Sequence, residues 1–425
     1  MNNSILKNKN FLCLISGKLI SLMGTQIQDF AMSLYVLKIT GSAAKFASVL
    51  AITVIPQIIL GPICGVFADW FDRKKMMVLL DILNGLIVLS MGIVYKVNGI
   101  LPMSYIYFSA VALTVVSLLY SFTGSAVLPG IIEKDKLLKA NSINSTITSI
   151  PQIAGPLFSG IIFGFFGLFY VIVINSISFF ISALFNIVID IPKNTRKNLK
   201  FDFKQFKVDF KEGLVFIKSK KIVFKIVVCG FFINFALDPL SSTGLTYIGK
   251  KVLLLSDAKV GTMQSMIAMG ILAGSILSGI IQNKLPETKI FGIVVTISGT
   301  IVLSVCLVLV LFYNKMILNV TVISACIITL LFVMVAFIIV CNIVLSTIFQ
   351  REVPMDFMGR ASSVLNTLCT AAMPAGQMII GGMFDYTKAY VPVFVAGMII
   401  LLSGLVYIVT QKSSNIVEEK ECKNA

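Results

Sequence analysis

Apolar stretches about 20 residues long recur from one end of this 425-residue chain to the other, and that recurrence decides the fold class. A hydrocarbon interior offers backbone N–H and C=O groups no water, so only α-helices or closed barrels can cross it. The stretches are continuously apolar and do not alternate, which selects helices over barrel strands. With 57% hydrophobic and 13% charged residues, the chain carries more apolar surface than a water-soluble core can bury. Windows of about 19 residues place twelve spans at 11–37, 44–68, 76–95, 101–124, 140–163, 165–190, 222–248, 260–282, 289–312, 317–348, 360–384 and 389–410. The first is too long for a signal-peptide core and lacks a small-residue cleavage site, so it reads as a retained span. The expected fold is an all-α polytopic membrane protein.

The spans form two sets of six. Residues 1–190 make an N-terminal half and 222–411 a C-terminal half, with 191–221 as a basic connector and 412–425 as a tail. The connector is dense in Lys and spaces Phe201, Phe203, Phe206 and Phe210 as an amphipathic helix on the inner membrane face would. With both termini cytoplasmic, about 25 of the 35 Lys and Arg fall on the inner side and roughly 8 outside, as the positive-inside bias requires. The expected setting is the cell's cytoplasmic membrane, as a monomer in the lipid bilayer. The formal charge of +16 is then a topological signal, and no nucleic-acid partner is expected.

Polar chemistry is sparse. Eight Cys are scattered singly with no C-x-x-C pair, and Cys229, Cys306 and Cys341 sit within apolar spans as small hydrophobes. Histidine is absent, which removes the commonest metal ligand and the usual near-neutral proton carrier. No metal or cofactor is expected, any proton chemistry falls to carboxylates, and no G-x-x-x-x-G-K-[ST] signals ATP hydrolysis.

Between the second and third spans lies Gly65-Val66-Phe67-Ala68-Asp69-Trp70-Phe71-Asp72-Arg73-Lys74-Lys75, read as a short charged loop. Its G-x-x-[AS]-D-x-x-x-R-[KR] spacing resembles the cytoplasmic loop between the second and third helices of major facilitator superfamily transporters. Asp72, in place of the family's usual Gly, and Asp81 beyond it are similar to the branch of macrolide efflux proteins and the enterobactin exporter. So are Thr40-Gly41-Ser42-Ala43 after the first span and the 133–138 loop. Trp70 stands where the family usually has Arg. The resemblance implies twelve transmembrane helices in two pseudo-symmetric six-helix halves (the major facilitator fold), with no enzymatic activity. It also implies a cytoplasmic latch. Gly65 lets helices approach, and Asp69 meets the N-terminus of the eleventh helix near Gly359 and Arg360, where free N–H groups and the dipole favour a carboxylate. Arg73, Lys74, Lys75 and Asp81 complete it.

The fifth span supplies a second motif, Pro151 followed by Gly155-Pro156-Leu157-Phe158-Ser159-Gly160, which resembles the G-P-x-x-G-G element of facilitator antiporters. Plain small-residue packing is the competing explanation. After the eighth span, Gly279-Ile280-Ile281-Gln282-Asn283-Lys284 faintly echoes the Gly65 segment, as two related halves would. The Arg that proton-coupled relatives often carry in the fourth helix is missing; the position falls near Leu113, in a span with no charge.

An ionisable side chain at bilayer depth costs about 2.5–3.5 kcal/mol on insertion scales, so each one asks for a role. Lys18 and Asp29 lie in the first span, Asp81 in the third and Asp238 in the seventh. Asp29 and Asp238 occupy related places in the two halves and are the proton-coupling candidates; a fixed ion pair with Lys18 is the alternative. Asp81 is assigned to the latch, and Lys18 to snorkelling toward the inner surface. Polar residues in the spans that need partners within lipid are the cavity candidates: Gln26, Tyr120, Asn144 and Gln152 in the first half, and Asn234, Gln264, Asn366 and Gln377 in the second. The expected activity is secondary active efflux of hydrophobic or amphiphilic small molecules, antibiotic or siderophore-like, coupled to protons through alternating access. An uptake carrier of the same fold and a non-transporting membrane interaction protein are the alternatives.

Overall fold

The computed structural model describes residues 8–70, 72–133, 137–190, 203–281, 286–316, 319–353 and 355–424. Side-chain surroundings are described for these except at 61–70, 281, 350, 355–359, 412–424 and scattered positions within 125–142 and 203–209. Every regular element among them is helical. The first half contains α1 (Lys9–Thr40), α2 (Ala43–Trp70), α3 (Arg73–Asn98), α4 (Met103–Ile131), α5 (Leu137–Phe166) and α6 (Leu168–Val188). A connector helix, α7 (Phe203–Ser219), leads into α8 (Lys221–Val252), α9 (Asp257–Ile280), α10 (Glu287–Tyr313) and α11 (Val320–Glu352). Then come α12, which starts with Met355–Gly376 and continues to Tyr386, and α13 (Tyr390–Asn424). Twelve of these helices are long and apolar enough to cross a membrane, in the order that the hydropathy windows require.

The breaks have local causes. Gly41 ends α1 in the left-handed conformation (φ 67°), where a Cβ would be strained, and its N–H closes on the Leu37 carbonyl. Ser42 then accepts from the Lys45 N–H at 3.1 Å, so the Thr40-Gly41-Ser42-Ala43 quartet is a helix stop followed at once by a helix start. Asp72 begins α3 in extended conformation and accepts from the N–H groups of Lys74 and Lys75 at 3.0 and 3.2 Å. The segment expected to be an eleven-residue loop is therefore largely helical. α2 runs to Trp70 and α3 starts at Arg73, because Gly65 to Trp70 hold enough apolar side chains to continue the helix and Asp72 is placed to start the next.

The chain divides into two compact units that follow the halves with two exchanges. One contains Met1–Gly41, Ile52–Phe201 and Leu255–Ser265; the other contains Ser42–Ala51, Asp202–Leu254 and Met266–Ala425. α7 groups with the second unit, where Ile217 is buried among Val223, Val227, Phe349, Ala361 and Val364. α13 also continues without interruption through the expected tail to Asn424.

In the first unit α6 packs against both α1 and α3. It does so with a polar stripe, Asn175, Ser178, Ser182 and Asn186, spaced along one helical face and buried. Opposite stand glycines: a Cβ on Gly24 would collide with Ser178, one on Gly17 would press on Ser182 and Phe185, and one on Gly85 would meet the Phe180 ring. The second unit repeats the device between α10 and α13, where Gly299 meets the Leu401 backbone and Gly404 meets Thr296. In lipid, where apolar side chains gain nothing by leaving one another's company, close backbone approach supplies much of the packing energy.

Within the second unit the start of α2 is held by a carboxylate. Asp385 accepts from the N–H groups of Ala43 (2.6 Å) and Ala44 (2.9 Å) and from the Ser42 hydroxyl (2.5 Å), satisfying the free end of the helix. Asp385→Ala is expected to destabilise this contact by about 1 kcal/mol, measured as faster hydrogen exchange at the amides of residues 43–45 with little change elsewhere. Gly376 abuts the Phe235 carbonyl so closely that a Cβ has no room, whereas a Cβ on Gly279 meets nothing within 4 Å. Gly376→Ala should therefore lower stability by about 1–3 kcal/mol in thermal unfolding of the purified protein, and Gly279→Ala should not.

Candidate functional site

The first unit encloses a cavity of about 540 Å³ bounded by α1, α3, α4 and α5, with Phe179 of α6 at its back. That is the size of a pocket for a small organic molecule. Leu14, Met77, Leu128 and Phe179 give it apolar walls, and polar groups enter from each of the four helices. Lys18 stands nine residues into α1 and Asp81 eight residues into α3, so each lies about 12–14 Å along its helix at 1.5 Å per residue.

Asp81 is 1% exposed. Its Oδ2 accepts from the Ser182 hydroxyl at 2.7 Å and from Asn186 Nδ2 at 2.8 Å, and Asn186 also donates to the Tyr120 hydroxyl at 3.2 Å. This corrects the assignment of Asp81 to a latch with Arg73 and Lys75. The carboxylate is turned into the unit, because α6 brings two neutral donors to it from more than a hundred residues away in sequence. Lys18 does not snorkel: its ammonium donates to Asn144 Oδ1 of α5 at 2.8 Å and lines the same cavity. Gln26, Tyr120, Asn144 and Gln152, expected to need partners within lipid, all come together here. Asn84, Ser117 and Thr148 line it as well. Their signal in the sequence was available in part, since Asn84 falls three residues after Asp81, on the same face of a helix.

The polar run in α1 is split by helical geometry, each residue turning about 100° from the last. Gln26 enters the cavity, Gln28 is buried and accepts from Asn175 Nδ2 of α6 at 2.9 Å, and Asp29 is exposed. The fifth-span motif meets α1 directly. A Cβ on Gly155 would lie 2.6 Å from Gln26 Cβ, and the buried Ser159 donates to the Ile27 carbonyl at 2.6 Å. Gly160 faces Asp257 and Gly261 of the 255–265 segment, and Gly261 in turn abuts the Pro156 carbonyl. Pro151 and Pro156 sit inside α5, where each lacks the N–H that would bond the carbonyl four residues earlier.

The second unit holds a smaller polar cluster where α8 crosses α12. Gln377, 1% exposed, donates to Asp238 Oδ2 at 2.6 Å and to the Ser242 hydroxyl at 2.7 Å, and accepts from the Thr243 hydroxyl at 2.9 Å. All three partners follow Pro239 or immediately precede it, and both helices leave the regular α geometry at this level. Leu240–Gly244 and Ile248–Val252 in α8 and Gln377–Gly381 in α12 are π turns, a form that concentrates at functional sites. The other second-half candidates do not join it. Asn234 donates to the Gly230 carbonyl of its own helix, Asn366 is exposed, and Gln264 is half-buried in the 255–265 segment grouped with the first unit.

Of the latch residues, the side chains of Gly65, Asp69 and Gly359 lie outside the described residues. The helix expected to start near Gly359 and Arg360 begins at Met355, about a turn earlier, so neither residue is its N-terminus. Arg360 pairs with Glu212 of α7 at 2.6 Å. Lys74 and Lys75 offer backbone N–H groups to Asp72.

Comparison with known proteins places this geometry. A sequence profile of the Major Facilitator Superfamily matches residues 14–377. Macrolide efflux protein A of Streptococcus pyogenes is 24% identical over 385 residues, covering 88% of this chain and 89% of that protein. YkuC of Bacillus subtilis, an uncharacterised MFS-type transporter, is 28% identical over 318 residues, 70% of each chain. Among solved structures, a bacterial homologue of the iron transporter ferroportin in an inward-facing state superposes with a TM-score of 0.73 at 18% identity, over 96% of this chain and 99% of that one. The nucleoside transporter NupG gives 0.74 at 11% identity, over 95% and 99%.

The Gln377 cluster makes a stability prediction of its own. Gln377→Leu removes the donor to Asp238 and the acceptor of Thr243 while keeping the volume, and should cost about 1–3 kcal/mol in thermal or denaturant unfolding; Asn366→Leu, at an exposed position, should cost far less.

Proposed function

The chain belongs to the Major Facilitator Superfamily and is a multi-pass membrane transporter, and from that premise we propose that it exports hydrophobic or amphiphilic small molecules, antibiotic or siderophore-like, in exchange for protons. The observation that carries export is the likeness to macrolide efflux protein A over nearly nine-tenths of both chains. The cavity is consistent with it: apolar walls suit a drug-sized apolar body, and a few fixed polar groups orient it.

Asp29 and Asp238 are the proposed proton carriers. Each is a carboxyl group in the first helix of its half, and neither has an ion-pair partner among the described residues. A weakly polarisable surrounding, the bilayer for the exposed Asp29 and the packed helices for the half-buried Asp238, penalises charge, which is the condition under which a carboxyl group takes up and releases a proton during a cycle. Asp238 is further tied to α12 through Gln377, so a change in its charge acts on two helices at once. The two halves would alternate access by rocking, with Gly65, Asp69, Arg73, Lys74 and Lys75 closing the cytoplasmic side. Both termini are proposed to be cytoplasmic and the protein to act as a monomer in the cytoplasmic membrane. The Gly155-to-Gly160 element serves this reading as a close-packed seam between α5 and α1.

Everted membrane vesicles incubated with a fluorescent macrolide derivative in the outer medium test the proposal. Uptake into the everted lumen is expected on energisation, collapse of the proton gradient should reduce it at least tenfold, and Asp29→Asn or Asp238→Asn should do the same while the protein remains in the membrane at its normal level. Flux that survives both the uncoupler and the substitutions would overturn proton exchange, and flux in the opposite sense would overturn export.

A further inference from the structure

The cavity of the first unit holds groups of opposite charge type that do not pair with one another. Lys18 and Asp81 both line it, yet each is held by neutral groups only, Lys18 by Asn144 and Asp81 by Ser182 and Asn186. Both hydrogen bonds to Asp81 go to Oδ2, so Oδ1 has no protein donor among the described residues. One turn along α3, the Oδ1 atom of Asn84 is buried without a hydrogen-bond partner, and Asn84 also lines the cavity. A buried acceptor left unpaired bears its full desolvation penalty, and an unneutralised charge at bilayer depth costs more. α3 thus carries two acceptor oxygens with no protein donor among the described residues, at the wall of the cavity, and α1 carries an ammonium with donors to spare.

From this arrangement we infer that the cavity binds a zwitterionic amphiphile: a protonated amine on the Asp81 and Asn84 oxygens, an acidic group on the Lys18 ammonium, and an apolar body against Leu14, Met77, Leu128 and Phe179. A cation alone would leave Lys18 unanswered and meet its repulsion; an anion alone would meet the same from Asp81. A molecule with both groups answers both charges, and the desolvation that each side chain already bears becomes binding energy. Charge-assisted hydrogen bonds of this kind are about twice as strong as neutral ones. Selectivity then arises from both ends, since removing either ligand charge leaves a buried charge of the protein unmatched. This names a substrate class for the exporter proposed above and rests on that reading for its physiological meaning. Binding itself is read without transport, so its failure and the failure of export are separate results.

The test uses the full chain in lipid nanodiscs and two matched trios. One is phenylalanylphenylalanine with its methyl ester (amine only) and its N-acetyl form (acid only). The other is ampicillin with its methyl ester (amine only) and benzylpenicillin (acid only). Equilibrium dialysis should show at least one zwitterion bound ten times or more tighter than both of its singly charged analogues. Asp81→Asn should erase its advantage over the acid-only form, and Lys18→Gln its advantage over the amine-only form. Asp81→Glu and Lys18→Arg should retain part of each, and thermal unfolding should confirm that the variants are folded. Equal binding across both trios, no binding by either, or preferences that the variants leave unchanged would overturn the inference. So would loss of folded protein in each single variant that is restored in Lys18→Gln/Asp81→Asn, which marks the pair as structural.

Discussion

Close approach between helix backbones is the condition on which the rest of this structure stands. Lipid tails are as apolar as the side chains they touch, so burial against a neighbouring helix gains little by itself, and contact has to come from shape and hydrogen bonding. α6 meets that condition with small hydroxyl and amide residues set against glycines of α1 and α3. The same stripe that brings the backbones together also ends in Ser182 and Asn186, the two donors that hold Asp81. Packing and site are one feature here: the residues that let three helices touch are those that place a carboxylate within the bilayer.

The polar interior is divided between two units of different character. In the first, Lys18, Asp81 and Asn84 surround open space, and each has bonding capacity left over. In the second, Gln377 uses its amide nitrogen and oxygen on Asp238, Ser242 and Thr243, and the helices around it bend their hydrogen-bonding pattern to bring those groups into range. An open set of polar groups suits a ligand that comes and goes. A closed set suits a switch whose state depends on the charge of one member.

Much of this was legible in the chain. Continuous apolar runs placed all twelve spans, because span length is set by bilayer thickness and not by tertiary context. Thr40-Gly41-Ser42-Ala43 and Asp72, which enter the sequence reading only through a resemblance, prove to be a helix stop and two helix starts set by residue types that work locally. Gln26, Tyr120, Asn144 and Gln152 converged because polar groups in lipid have few places to go. What failed was pairing at a distance. Sequence proximity pairs Asp81 with the nearest cations, Arg73 and Lys75, whereas its partners are a serine and an asparagine a hundred residues on. The stripe on α6 is silent in the sequence for a similar reason: small neutral residues carry no charge for a hydropathy window to flag, and their role appears only when the glycines opposite are known. The exchange of Ser42–Ala51 and Leu255–Ser265 between units has no local signature at all.

The π turns carry a geometric implication. Each holds one residue more than an α turn, so α8 carries two surplus residues in its second half and α12 carries one. Should one such turn tighten to α, everything beyond it would rotate by about 100° about the helix axis and advance by about 1.5 Å. Because Ser242 and Thr243 sit within one of these turns and Gln377 within another, the surplus in those two is pinned by three hydrogen bonds, one of them to the Asp238 carboxylate. α8 and α12 are in this sense ratchets wound one notch, with Asp238 resting on the pawl.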